Sequence, residues 1–156
     1  MTSETYAWRP AGVRWGIIAG VIVVGLFVVA YFLKREWVLS RGLWLGTTLV
    51  YMLAMYRAQE PVRGQDPRAY IQPGFLTFVV ANALFYLFYH LLFAVFDPGL
   101  VELQAAALSA AGQDPDKAQI PTPGSTFFTY AQSLIFGFVL AAAIGLGLRA
   151  RSRSRD

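Results

Sequence analysis

The sequence predicts an all-α fold, an integral membrane antiparallel four-helix bundle that forms a single domain over residues 1–156. Of the 156 residues, 56% are hydrophobic and only 14% are charged. An ordinary soluble domain has about 45–50% apolar and about 25% charged residues. In addition, four stretches approach the ~20 mostly apolar residues that a helix needs to cross the hydrocarbon core. These predicted spans are residues 13–33, 37–56, 75–96 and 126–148.

The four predicted spans differ in character. The first has a positively charged start at Arg9 and Arg14, but its apolar stretch is too long for a cleaved signal peptide, so we expect an uncleaved signal anchor. The second is the weakest, because Ser40 and Arg41 interrupt its start. The third is rich in aromatic residues, and the fourth begins polar and ends apolar.

The three connections also differ. Lys34, Arg35 and Glu36 predict a tight turn, and residues 57–74 predict a polar loop punctuated by prolines. The longest connection, residues 97–125, contains a predicted short helix with Asp97 as its cap and Pro98 at its first position. An apolar stripe on this helix favours a position on the membrane surface.

The positions of Lys and Arg predict the orientation. The chain has 13 such residues, and only Lys34, Arg35, Arg41 and Lys117 fall on one side of the predicted spans. The positive-inside rule therefore places both termini and the 57–74 loop in the cytoplasm, and the 97–125 loop outside. The cluster of Lys34, Arg35 and Arg41 argues mildly against this. The basic tail (Arg149, Arg151, Arg153 and Arg155) is interpreted as a topology determinant, with attraction of anionic lipid as an alternative.

Small residues at four-residue spacing predict close helix packing, since helices in lipid associate through tight contact and a few hydrogen bonds. They lie on one face of the first, second and fourth spans. Such faces serve either contacts within the bundle or contacts with another subunit. The candidate helix-packing residues are Gly12, Gly16, Gly20, Gly42, Gly46, Gly137, Ala141 and Gly145.

Polar residues gather on one face of the third span and one face of the fourth. At about 1.5 Å per residue, His90 and Ser133 lie at similar depths, roughly 9 and 10 Å below the outer ends of their spans. The two faces can therefore meet. His90 either holds two helices together by a hydrogen bond or relays a proton or binds a ligand. The candidate polar cluster contains Asn82, Tyr86, Tyr89, His90, Thr129, Tyr130 and Ser133.

The composition excludes several kinds of chemistry. The chain has no cysteine, which excludes disulfides, thiolate metal sites, iron–sulfur clusters and cysteine nucleophiles. The single histidine does not make a typical metal site. No phosphate-binding glycine loop or hydrolase elbow is present. We therefore assign no catalytic, cofactor-binding or metal-binding residue. Nucleic-acid binding is not expected, because the basic residues flank apolar spans.

The order and spacing of these segments resemble a bacterial family of four-span membrane proteins, the domain of unknown function 4199. The resemblance covers residues from about Gly12 to Arg149. It rests on the glycine-bearing first span, the Tyr56-Arg57 end of the second, the Phe96-Asp97-Pro98 end of the third, and Thr122-Pro123-Gly124 before the last. It implies an inner-membrane protein of bacteria and brings no activity, cofactor or catalytic residue. The chain departs from the family at Tyr70–Gly74, where a polar lead-in with a carboxylate is usual.

Three functional hypotheses follow. The first is a non-enzymatic accessory or scaffold subunit of a membrane assembly, with a membrane-protein partner or as a homo-oligomer in the lipid bilayer. The second is a small oligomeric transporter or channel lined by the polar faces of the third and fourth spans. The third, an enzyme acting on lipid through His90 and Asp97, has the least support, because these two groups are too few for acid–base catalysis.

Overall fold

A computed structural model describes residues 8–62 and 66–153, with side chains as far as residue 152. The predicted all-α fold is confirmed, and the described residues contain no strand. The α-helices are α1 (Trp8–Leu33), α2 (Arg41–Gln59), α3 (Pro67–Leu91), α4 (Leu100–Ala110) and α5 (Pro123–Arg153). A 3₁₀ turn (Arg35–Leu39), a π-type turn (Leu92–Phe96) and a second 3₁₀ turn (Pro115–Lys117) occur in the connections.

Glycines in α1 set its close contact with α3. A Cβ built on Gly12, Gly16 or Gly20 would meet Leu76, Val80 or Leu84 of α3 respectively, at 2.6–3.0 Å for the nearest atom. Each step of four residues in α1 matches a step of four in α3, so the two helices run parallel and in register. The absence of side chains at these positions lets the backbones approach, as is usual where membrane helices pack.

The helix α5 runs antiparallel to α3 and contacts it through small residues as well. Gly137 faces the ring of Phe78, and Gly145 faces the backbone of Tyr70. Ala141, midway between them on the same helical face, is fully buried. α3 is therefore the central helix, with α1 and α5 packed on different sides of it.

Helix α2 packs against α1, α3 and α5. The outer half of its contact is aromatic: Trp44 meets Phe27 of α1 and Phe85 of α3 edge to face, with ring centroids 5.4 and 5.3 Å apart. Its opposite face carries Leu45 and Leu49, which are 70% and 68% exposed. A helix with one face in a protein core and large apolar side chains on the other suits a lipid environment.

The loop predicted at residues 57–74 is longer than the loop in the structure. α2 continues to Gln59, and α3 already begins at Pro67. Asp66 caps α3 by accepting from the backbone N–H of Arg68 at 2.9 Å, and Pro67 fits the first turn, where its missing N–H costs nothing. Pro73 lies inside the helix and is buried. Packing of this segment against Gly12 and Gln59 outweighs the helix-breaking tendency of proline.

The predicted outer connections also need correction. The turn at residues 34–36 is the beginning of the 3₁₀ segment, so α2 starts at Arg41 and not at Trp37. Asp97 does not cap the short helix: α4 begins at Leu100 after Gly99, with no side-chain cap. The carboxylate of Asp97 instead binds Arg35 across the outer end of the bundle. That ion pair is a contact between segments distant in sequence, which local capping patterns do not reveal.

Three segments are long and apolar enough to cross a membrane, namely Trp8–Leu33, Pro67–Phe96 and Pro123–Ser152. They correspond to the first, third and fourth predicted spans. α2, with 19 residues, is not among them. It carries Arg41, Thr47, Thr48, Arg57 and Gln59, which lower its mean hydropathy. The second predicted span, α2, therefore does not meet the length and composition that the other three segments meet.

Candidate functional site

The polar side chains of α3 and α5 meet through Asn82 and Ser133. Asn82 is buried, and its side-chain amide donates to the hydroxyl of Ser133 at 2.5 Å. Ser133 in turn donates to the carbonyl of Tyr130 at 2.5 Å. The Tyr130 hydroxyl donates across the interface to the carbonyl of Val79 at 3.3 Å. Four members of one small network therefore join α3 to α5 in the middle of both helices.

His90 lies at the outer end of the same interface, and its partner is Thr126, not Ser133. The distance between His90 Nδ1 and the Thr126 hydroxyl is 3.0 Å. His90 and Ser133 are thus not level, contrary to the depths estimated from the predicted span ends. The eight residues from Asn82 to His90 correspond to about 12 Å along a helix. The register is set by Gly137 against Phe78 and Gly145 against Tyr70, which are not visible in the apolar limits of the spans.

The hydrogen bond between Asn82 and Ser133 is expected to contribute modestly to stability. Replacing both residues by alanine, singly and together, should give a coupling energy near the ~0.6 kcal/mol average for hydrogen bonds between membrane helices. The measurement is a double-mutant cycle on unfolding in detergent. Thr129→Ala is the control, because Thr129 is exposed and donates only to the carbonyl of Ser125 within its own helix. A coupling energy of zero would contradict the assignment.

The structure does not bring together all the remaining residues of the predicted polar cluster and of the predicted helix-packing faces. Tyr86 faces α5, with its ring 6.1 Å from that of Tyr130. Tyr89 faces the other way and stacks on Phe93 at 4.3 Å, next to Trp44. Among the helix-packing candidates, the α1 and α5 residues lie in the contacts with α3. Gly42 and Gly46 do not: a Cβ on Gly46 would meet nothing within 4 Å, and one on Gly42 would meet only Ser40.

Gln59 is a buried polar residue that sequence reasoning missed. It is fully buried, and its Nε2 donates to the carbonyl of Ala141 at 2.8 Å. Its Oε1 has no hydrogen-bond partner among the described residues. Gly74 and Gly145 leave room for this amide. The spacing of four residues from Tyr51 through Met55 to Gln59 places Gln59 on the same helical face, which is buried. The prediction missed it because the predicted span ended at Tyr56.

A second polar group closes the predicted outer end of the bundle, where α1 ends and α4 begins. Arg35 donates through Nε and Nη2 to the two carboxylate oxygens of Asp97, and the Tyr31 hydroxyl donates to the same carboxylate at 3.0 Å. The Asp97 side chain is only 13% exposed. Hydrogen bonds from the Arg35 guanidinium, and then from Tyr31, hold the pKa of Asp97 below its ordinary value of 3.8. We call these three residues the outer clamp.

The outer clamp predicts a pH-dependent contribution to stability. Because the pKa of Asp97 is lowered by folding, the clamp contributes fully above pH 3.8, the ordinary value, and less as the pH falls through the lower folded pKa. Arg35→Gln should lower the melting temperature by a few degrees at pH 7. The difference should shrink towards pH 3. Lys34→Gln is the control, since Lys34 pairs only with its exposed neighbour Glu36. A difference independent of pH would contradict this role of the carboxylate.

An open groove of about 260 Å³ lies beside the polar network, between α3 and α5. It is lined by Ala83, Tyr86 and Leu87 of α3 and by Phe127 and Tyr130 of α5. His90 and Thr126 lie at its outer end. His90 and Asp97 belong to separate groups, the first at this groove and the second in the outer clamp. Among the described residues, no group of three or more His, Cys, Asp or Glu side chains is placed to hold a metal ion.

The fold and these sites define a class: an all-helical bundle with three helices long and apolar enough to cross a membrane and polar side chains joining its helices. Comparisons with protein-family models, with curated proteins and with solved structures found no match. The resemblance to the domain of unknown function 4199 therefore stays a prediction.

Proposed function

We propose that this chain is a non-enzymatic accessory or scaffold subunit of a membrane assembly in the bacterial inner membrane. The observation that carries the proposal is how the interior polar groups are used. Asn82 binds Ser133, Tyr130 binds a carbonyl of α3, and Gln59 binds a carbonyl of α5. These bonds join one helix to another, which is a structural use of polar groups.

The exposed faces support a role in assembly. α5 packs mainly on α3 and presents a broad apolar surface that includes Phe128, Ile135 and Val139, each 58–71% exposed. α1 and α5 make no substantial contact with each other among the described helices. Helix α2 packs against both and covers one side of α3 between them. Elsewhere on α3, Leu87 and Leu91 are 58% and 38% exposed, open to lipid or to a helix of another subunit.

The proposed topology has four spans with both termini in the cytoplasm. At about 1.5 Å per residue, α2 is roughly 28 Å long, close to the ~30 Å hydrocarbon core. It lies beside α1 and α3, buries Thr47 and Gln59 and exposes leucines. On the proposed outer side, Lys34 pairs with Glu36 and Arg35 with Asp97. Arg63 and Arg155, and the side chain of Arg153, lie outside what the structure describes.

The topology can be tested by single cysteines, since the natural chain has none. Gln113→Cys, in the exposed loop after α4, should react with a membrane-impermeant maleimide applied to intact spheroplasts. Arg57→Cys, near the C-terminal end of α2 on the proposed cytoplasmic side, should react only after the membrane is opened. The reverse pattern would overturn the orientation. Glu36→Cys, in the exposed connection before α2, should react from outside like Gln113→Cys. Labelling of Glu36→Cys and Arg57→Cys from the same side would overturn α2 as a span.

The function is tested by purifying the tagged protein from its native membrane in mild detergent, with native mass spectrometry of the eluate. Stoichiometric co-purification of another membrane protein is the expected result. The competing transporter hypothesis predicts solute flux in liposomes that is lost in Asn82→Leu. Flux through the purified protein alone, with no partner in the eluate, would overturn the accessory role.

A further inference from the structure

We propose that the groove between α3 and α5 binds an acyl chain of a phospholipid from the outer leaflet, with His90 contacting the lipid near its ester groups. The groove opens sideways from the bundle: Leu87 and Phe127 on its borders are 58% and 69% exposed. Both residues belong to segments long and apolar enough to cross the bilayer. The surroundings of the opening are therefore hydrocarbon.

The shape of the groove suits one acyl chain of a lipid. On α3, Ala83, Leu87 and His90 follow each other in steps of four and three, so they form one line along about 10 Å of helix. On α5, Pro123, Thr126 and Tyr130 cover the same length of about 10 Å in the opposite direction. The volume of about 260 Å³ is just below the ~300 Å³ at which pockets for whole drug-sized ligands begin. The groove therefore holds part of an extended chain rather than a compact ligand.

The distribution of polar residues along the groove determines which way the acyl chain of the lipid lies in it. Its deep part is bordered by Ala83, Leu87 and aromatic rings, while His90 and Thr126 lie at the end nearest Asp97. Seven residues separate His90 from Asp97, which is about 10 Å along the helix. The headgroup layer is about 5–7 Å thick on each side of the ~30 Å hydrocarbon core. With the charged pair of Arg35 and Asp97 in that layer, His90 lies roughly 3–5 Å inside the hydrocarbon, within reach of the ester groups of a lipid.

Among the described residues, Nδ1 is the nitrogen of His90 that has a hydrogen-bond partner, so Nε2 remains for this contact. Its Nδ1 lies 3.0 Å from the Thr126 hydroxyl. When that hydroxyl donates to Nδ1, the imidazole proton is on Nε2, and this N–H can donate to an ester carbonyl. The bond to Thr126 thus orients the ring. A phospholipid fits both ends of the groove, whereas an apolar helix of a partner protein leaves the Nε2 proton without an acceptor.

The test uses nanodiscs that contain the whole protein and a phosphatidylcholine with a photoreactive diazirine in one acyl chain. After illumination, label should concentrate in peptides covering residues 83–90 and 123–130. Ala83→Leu places a larger side chain in the lining of the groove and should remove most of this label. Ala143→Leu, at an exposed position of α5 outside the groove, should leave it unchanged. Melting temperatures of both variants check that the fold is kept.

His90→Phe provides a second variant that keeps an aromatic ring but removes the donor. It should reduce label in the groove while preserving the labelling of α1 and α2. Label spread evenly over the exposed faces of α1, α2 and α5 would overturn the proposal. A crosslinked second copy, or a co-purified helix that blocks labelling of the groove, would overturn it in favour of a protein occupant.

Discussion

Gln59→Glu is expected to lower the free energy of unfolding by about 3–5 kcal/mol, the range for a buried charge without compensation. The amide of Gln59 donates to the carbonyl of Ala141, and a carboxylate would bring two acceptors together instead. The side chain cannot move away easily. A Cβ on Gly74 would lie only 2.4 Å from the Gln59 amide carbon, so α3 closely covers the group. The measurement is the melting temperature and unfolding free energy in detergent.

Two controls separate charge from packing. Gln59→Met keeps the length of the side chain and removes the Oε1 atom that has no partner, so it should cost no more than about 1 kcal/mol. Gln72→Glu introduces the same carboxylate at an exposed position of α3 and should change little. Equal losses for the glutamate and methionine variants at position 59 would contradict the argument, because they would show that packing alone decides.

The helix content of this chain was predictable because lipid leaves few alternatives. Backbone groups within hydrocarbon must be satisfied internally, so long apolar runs become helices. The limits of the helices were less predictable. Hydropathy ends the second span at Tyr56 and starts the third at Phe75, but α2 and α3 extend to Gln59 and back to Pro67. These extensions are stabilised by packing between helices, which hydropathy does not measure.

Burial was the feature least accessible from the sequence. In a soluble helix an apolar face marks the core, but lipid-facing residues are also apolar, so Leu45 and Leu49 look like core residues and are exposed. Small residues give a better signal. Even so, spacing alone does not distinguish Gly16, which contacts α3, from Gly46, which contacts nothing within 4 Å. The difference depends on which helix lies opposite.

The polar sites show the same limit. The sequence placed Asn82, Tyr130 and Ser133 on facing sides of two helices, and they do meet. It could not give their register, because matching the outer ends of two spans assumes that the spans start level. It also could not show that Asp97 binds Arg35, since 62 residues separate the two in sequence.

Gly16→Leu should separate α1 from α3 and lower the free energy of unfolding by about 3 kcal/mol, the upper part of the usual range for overpacking. A Cβ at Gly16 would lie 2.6 Å from the Cβ of Val80 and 2.9 Å from the carbonyl oxygen of Thr77. Neither atom is the end of a flexible side chain. The whole helix must therefore shift, which also removes the hydrogen bond from Thr77 to the carbonyl of Gly12.

Gly25→Leu is the matched control in the same helix, because a Cβ at Gly25 meets nothing within 4 Å. It adds the same side chain to a lipid-facing position and should leave the melting temperature unchanged or slightly raised, since leucine favours helix more than glycine does. If both variants melted alike, the ladder of Gly12, Gly16 and Gly20 would not hold α1 on α3. If only Gly16→Leu unfolds early, the parallel contact of these two helices is what the rest of the bundle depends on, because α2 and α5 both pack against α3.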